Sequence, residues 1–421
     1  MRSRTAVDYI LFFIYTGIFL GLPNIASEYL KGLQISAHYL VSTNALIGIA
    51  AYVYLIEGFR GGHGFSELPN RYTFVLLLIL FPILLSGINA YNTNLGMLYT
   101  RNFFFFYLLS VLVLWRLKSK EDVLLMLRIF FLSGFIFSVL TYLFSDLANI
   151  SSNLNYYEAG KDITYRLNFW NINANTLGYA FAVMVMVNIT LVERKNRWNF
   201  LLIAASALQF ILLLLTFSRG AFLILLVELS VFVLIMLRSI KTSLYITALG
   251  LIIYLVLDKF YYSYIERFMT IKDIFGGVGT GMDESILTRS LLFSESLDIG
   301  LQHIFLGIGG YNLNDYVEYG THNQFLSIFV ENGIFTFLIY SMLLLYITWR
   351  LLAISNAIKD VRREKKISAC LAAIMCGSIV QGTVSYLRYD FWLIFSISIA
   401  WIAIINKQIL GRNLKPGMRT A

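Results

Sequence analysis

Long apolar runs, each closed by a short polar connection, repeat along almost the whole chain. A helix needs about 20 predominantly apolar residues to cross a bilayer. Runs of that order fall near 8–24, 36–57, 71–89, 102–117, 122–145, 169–192, 199–217, 220–238, 242–258, 323–349, 367–387 and 389–406. They predict an all-α polytopic membrane protein with about 12 transmembrane helices. Residues 259–321 break the pattern, being too long and too polar for a mere connection. The chain divides accordingly into N-terminal helices (1–150), a central segment with the large loop (151–349), and closing helices with a tail (350–421).

Composition supports the pattern. A 421-residue chain that is 58% hydrophobic, 16% aromatic and 14% charged is no ordinary soluble domain. Arg2 and Arg4 ahead of an apolar run resemble a signal peptide, but "NIASEYL" is a poor cleavage site and further spans follow at once. An uncleaved first helix is expected. The net charge of +9 does not point to nucleic acid, because excess Lys and Arg collect in the cytoplasmic loops of membrane proteins. Basic residues mark the N-terminus and the connections after the fourth span (Arg116, Lys118, Lys120), the sixth (Arg194, Lys195, Arg197) and the eighth (Arg238, Lys241). The connection after the tenth is richest, with Arg350, Lys359, Arg362, Arg363, Lys365 and Lys366, and Lys407, Arg412, Lys415 and Arg419 close the chain. All fall on one side of a twelve-span chain. That puts both termini in the cytoplasm and residues 259–321 outside. Cys370 and Cys376 share one apolar segment without His or Asp beside them, and read as packing residues.

In the outer loop, "KFYYSYIERFMTIKDIF" has helical apolar spacing and predicts an amphipathic helix along the interface. "LTRSLLFSESLDIGLQHIF" predicts a second helix, and "GGVGTG" (276–281) a flexible joint that lacks the ending of a phosphate-binding loop.

This topology brings scattered polar groups to one level. Arg219 occupies the outer turn "TFSRGAFL", Arg289 the outer loop, and His322 the start of the tenth span. Arg388 and Asp390 share the outer turn "YLRYDFW", and Asn171, Asn173 and Asn175 the outer part of the sixth span. Singly, each has a plain account. Arg219 fits snorkelling from a helix end, Arg388 with Asp390 a local ion pair, and the asparagines contacts between helices. Glu331, nine residues beyond His322, falls on the opposite helical face and takes no role.

Together they say more. A histidine at a helix N-terminus is kept neutral by the positive dipole end and is able to accept a proton. The same end, with arginines near it, favours a bound phosphate. A neutral base beside a diphosphate site suits glycosyl transfer from a lipid-diphosphate sugar.

At these residues the chain resembles the O-antigen ligase/polymerase family of bacterial membrane glycosyltransferases. The family signature is His, then Asn, Ser or Gln, nine residues, Gly, two residues, then Gly, Thr or Tyr. Here His322, Asn323, Gly333 and Thr336 match it in full. "NINANTLGYA" resembles the family's Asn-rich helix, "SRGAFL" its Ser-Arg-Gly turn, and "TRSLLFSESL" with "FLGIGGYN" its outer-loop segment. The likeness covers roughly 165–340, whereas the first 150 residues match only as apolar spans. It implies that His322 is the catalytic base and that Arg219 and Arg289 bind undecaprenyl diphosphate. Asn323, Asn173, Asn175, Arg388 and Asp390 would support them, Asp390 standing where many members carry an acidic residue late in the chain.

The resemblance implies chemistry without a metal or cofactor, in keeping with a first outer loop (25–35) whose only acid is Glu28. The implied partners are a glycan donor on undecaprenyl diphosphate, a glycan or lipid A core acceptor, the bilayer, and a chain-length regulator or flippase. The implied place is the bacterial inner membrane, with the site facing the periplasm or exterior. "HNQFLSIFVENGIF" looks slightly more like polysaccharide polymerases than ligases. A transporter of lipid-linked oligosaccharide competes with both, but internal repeats and ionisable groups near the midplane are not evident in the sequence.

Overall fold

The computed structural model describes residues 6–20, 46–52, 70–88, 90–144, 167, 174–193, 197–216, 218–238, 241, 244, 250, 284–317, 321, 323–358, 363–384 and 389–413. Its helices are α1 (Ala6–Phe19), α2 (Asn70–Ile88), α3 (Thr93–Arg116), α4 (Lys120–Phe144), α5 (Ala174–Leu191) and α6 (Asn199–Leu215). They continue with α7 (Arg219–Leu237), α8 (Glu284–Gln302), α9 (Gln324–Ala357), α10 (Arg363–Val384) and α11 (Tyr389–Asn413). Residues 46–52 are also helical, and no strand occurs among the described residues. Among the described residues, six helices (α3, α4, α5, α7, α9 and α10) contain stretches long and apolar enough to cross a membrane. Where an expected span has described residues, they are helical. The span expected at 242–258, the first outer loop at 25–35, the interfacial helix at 260–275 and the joint at 276–281 lie wholly or almost wholly outside the described residues.

The helices pack as a polytopic membrane bundle. In a bilayer, close packing and hydrogen bonds replace water exclusion as the force between helices. Small residues accordingly mark the closest approaches. A Cβ at Gly178 of α5 would come within 2.5 Å of Ala221 on α7, and one at Gly377 of α10 within 2.6 Å of Glu228. Polar side chains bridge neighbours: Asn188 donates to Gln209 at 2.7 Å, Trp401 to Ser368 at 2.7 Å, and Tyr179 pairs with Ser378 at 2.8 Å. Phe12, Phe130, Phe181, Phe395 and Trp401 fill the main core, while Leu338, Met342 and Leu345 form an exposed apolar stripe on α9.

One end of the bundle gathers the basic connections. Lys120 pairs with Glu364 at 2.7 Å, Arg363 with Glu193 at 2.8 Å, and Lys366 donates to the Val192 carbonyl at 2.7 Å. Arg238 reaches the Asn356 carbonyl at 3.1 Å and Arg350 the Asn406 side chain at 2.9 Å. The fourth, sixth, eighth and tenth connections therefore converge, as the charge pattern requires. Arg350, read from sequence as part of a connection, lies inside α9, which continues to Ala357.

Two features depart from the sequence reading. First, α9 is interrupted, because Gly333 has φ 77° and ψ 175°. The expected single span 323–349 is instead a short helix, 324–332, joined at a break to a longer one, 334–357. At 1.5 Å per residue the second part alone is roughly 36 Å long, enough to cross a bilayer. Second, Glu228 lies midway along α7 with no exposed surface. Neither carboxylate oxygen has a hydrogen-bond partner among the described residues. The polar groups are thus not confined to one level.

Candidate functional site

The site region is built on the interrupted α9. Breaking a helix frees backbone groups, which at membrane depth must find partners inside the protein. Here the loop segment 304–311 supplies them. Ile308 N donates to the Val330 carbonyl at 3.0 Å and Gly309 N to the Glu331 carbonyl at 2.9 Å. Ile334 N donates in turn to the Ile304 carbonyl at 2.8 Å, and the Ser86 hydroxyl of α2 also donates to the Glu331 carbonyl. Gly333 has a positive φ that other residues rarely adopt, and a Cβ there would run into the Phe305 carbonyl. The short polar motif "GIGGYN" is therefore a plug across the break.

A second, smaller core holds this plug in place. Leu292 of α8, Ile308, Leu313 and Val317 of the loop, and Leu326, Phe329 and Val330 of α9 pack together. Asn312 fastens the loop to the turn between α2 and α3, accepting from Asn92 N at 2.7 Å and donating to the Gly310 carbonyl at 3.0 Å. Tyr311, with φ 62°, sets its ring edge-on to Tyr99 at 5.0 Å and accepts from Asn102 at 3.3 Å. An aromatic series then runs from Tyr99 through Phe103 to Trp392 and Tyr340.

His322 lies outside the described residues, but its neighbours define where the chain enters α9. Thr321 Oγ1 donates to the Asn323 carbonyl at 3.0 Å and accepts from Asn323 N at 3.2 Å. Asn323 is the N-cap, its side-chain oxygen accepting from Leu326 N at 3.0 Å. Position 322 immediately precedes this N-cap in the chain.

Asn175 is the second candidate whose side chain is described. Its oxygen accepts from the Ser218 hydroxyl at 2.8 Å, and Ser218 Oγ caps α7 by accepting from Ala221 N at 3.2 Å. The Asn-rich start of α5 and the Ser-Arg-Gly turn are thereby joined. Arg219 is the first residue of α7, Arg289 lies in α8, and Asp390 is the second residue of α11. Of these three only the backbone is described. Asn173 and Arg388 lie outside the described residues.

Glu331 corrects the sequence reading most. It has a partner in the loop: its Oε1 accepts from Tyr311 N at 3.0 Å. The glycines at 307, 309, 310 and 333 were its only trace in the sequence. The two cysteines are free thiols, Cys370 buried and Cys376 half-buried.

No curated protein and no solved structure matches the chain. The family model described as O-antigen ligase matches residues 203–341, which include Arg219, Arg289, the plug loop and the break in α9. Through this segment the chain is similar to the O-antigen ligase family, and its long apolar helices are those of a membrane protein.

Proposed function

We propose that the protein transfers a glycan from undecaprenyl diphosphate to a sugar hydroxyl during cell-surface polysaccharide synthesis, most plainly as a repeat-unit polymerase. His322 is the base that takes the proton of the acceptor hydroxyl. The freed oxygen attacks the anomeric carbon, whose bond to the diphosphate breaks. Arg219 and Arg289 stabilise the charge that develops on the departing diphosphate. Asn323 and Asn175 hold the two helix starts, and Asn173, Arg388 and Asp390 are assigned supporting roles. The reaction face is the periplasmic or outer one, opposite the converging basic connections, with both termini in the cytoplasm.

The observation that carries this reading is one segment, 203–341, that matches the family model and contains all three principal candidates. The capped helix start beside position 322 supports it, since a helix N-terminus favours both a neutral imidazole and a bound phosphate. Purified protein reconstituted with lipid-linked repeat units, without added metal, tests it. Wild type lengthens the glycan, and His322→Ala is slower by about a hundredfold or more. Undiminished transfer in His322→Ala refutes the mechanism. A lipid A core acceptor added to the same vesicles separates ligation from polymerisation.

A second reading, transport of lipid-linked oligosaccharide, draws on Glu228, an intramembrane carboxyl of the kind transporters use. Flipping of a labelled lipid-linked glycan that stops in Glu228→Gln while no glycan grows would favour it.

A further inference from the structure

We infer that Glu331 is a positioning residue whose carboxylate latches the plug loop across the break in α9 and so fixes the half-helix that follows His322. The consequence for catalysis rests on the glycan-transfer reading; the latch itself does not.

The geometry of the loop is that of an anion-binding nest. Tyr311 is left-handed, with φ 62°, and Asn312 right-handed, with φ −81° and ψ −13°. Successive residues of opposite hand turn their N–H groups to one side and form a concavity for an anion. The Glu331 carboxylate reaches it, accepting from Tyr311 N at 3.0 Å. A left-handed tyrosine costs on the order of 1 kcal/mol or more and persists only where its surroundings impose it. Here they are the carboxylate, the Tyr99 ring edge and the Asn102 amide.

The other links across the break involve backbone atoms of α9, namely the Val330 and Glu331 carbonyls and Ile334 N. A substitution at 331 leaves those partners in place. Asn332, next in sequence, reaches Tyr99 Oη at 3.3 Å and so joins the same cluster from the other side. Glu331 alone among these side chains joins α9 directly to the loop's amides. Its removal takes the acceptor from Tyr311 N and lets the half-helix 324–332 shift against Leu313 and Val317, with which Leu326 and Val330 now pack.

Hydrogen exchange read by mass spectrometry, beside the transfer assay, tests the latch. In Glu331→Ala, amides of 307–313 exchange at least about tenfold faster while α7 and α10 are unchanged. Per folded protein, kcat for glycan transfer falls at least about tenfold, with the donor KM within about threefold. Glu331→Gln keeps an acceptor oxygen and restores both protection and kcat to within about threefold of wild type. Unchanged exchange in Glu331→Ala, or a rise spread over the whole bundle, overturns the latch. So does a Glu331→Gln protein that is protected yet as slow as Glu331→Ala, which would make the charge itself the active element. If wild type transfers no glycan under any condition, the functional reading fails while the exchange comparison still decides the latch.

Discussion

Glu228 and Glu331 are both glutamates within apolar helices, in opposite surroundings. Glu228 sits in the main bundle against Gly377, with no exposed surface and no described partner for its oxygens. Glu331 is 8% exposed and receives hydrogen bonds at both its carbonyl and its carboxylate. The difference lies in the backbone. Helix α7 is unbroken, so its amides and carbonyls satisfy one another and offer Glu228 nothing. Helix α9 is broken, so a loop must come in to satisfy the freed groups, and that loop brings donors for a carboxylate. A buried carboxyl costs little where broken backbone surrounds it and much where intact helix does.

The largest expected effect strikes the break. Gly333→Ala forces a positive φ on a residue with a side chain and drives its Cβ into the Phe305 carbonyl. A loss of several kcal/mol is expected, seen as little monodisperse protein in detergent. Normal yield and melting would show that the break is not required. Glu331→Met comes next, taking away the acceptor of Tyr311 N at a cost of about 1–3 kcal/mol, read as a lower melting temperature.

In the bundle, Gly377→Ala costs about 1–3 kcal/mol by overpacking against Glu228. Combined with Glu228→Ala it costs less than the sum of the two, because the added methyl enters the vacated space. Additive losses in thermal melts would mean that the two residues do not share that contact. Removal of the caps is milder. Asn323→Ala and Ser218→Ala each lose about 1 kcal/mol, and exchange should quicken near α9 for the first and near α7 for the second. Glu228→Met has the smallest effect, within about 1 kcal/mol of wild type or stabilising, since an apolar isostere removes a desolvated carboxyl. A marked loss of stability would reveal a partner for Glu228 in the chain.

How much of this was legible in sequence follows from the range of each interaction. The helices were readable because membrane spans need only local apolar length, and the convergence of basic connections because charge counts alternate with span number. Near the candidate site, only local features were readable. Asn323 followed by Gln324 and Phe325 looks like a helix start, and it is one. Asn175, a supporting site residue or a helix contact by its sequence, bonds to the Ser218 turn. The break at Gly333 was not readable, because a single glycine within an apolar run is compatible with an intact helix. Only the Phe305 carbonyl and the loop beside it make the positive φ necessary. The place of Glu331 was not readable for the same reason, since its donor, Tyr311 N, is brought to it by folding. Glu228 was overlooked because one carboxyl in "LLVELSV" leaves the run apolar enough to span.

The sequence by itself determined the helical membrane class, the gathering of basic connections at one end, and the motif that starts at His322. Each depends on residues close together in the chain or on sums over it. Only the tertiary structure decided that α9 is broken, that the glycine-rich loop fills the break, and that one buried glutamate is satisfied while the other has no described partner. Those outcomes depend on backbone donors and acceptors that meet only after the helices have packed.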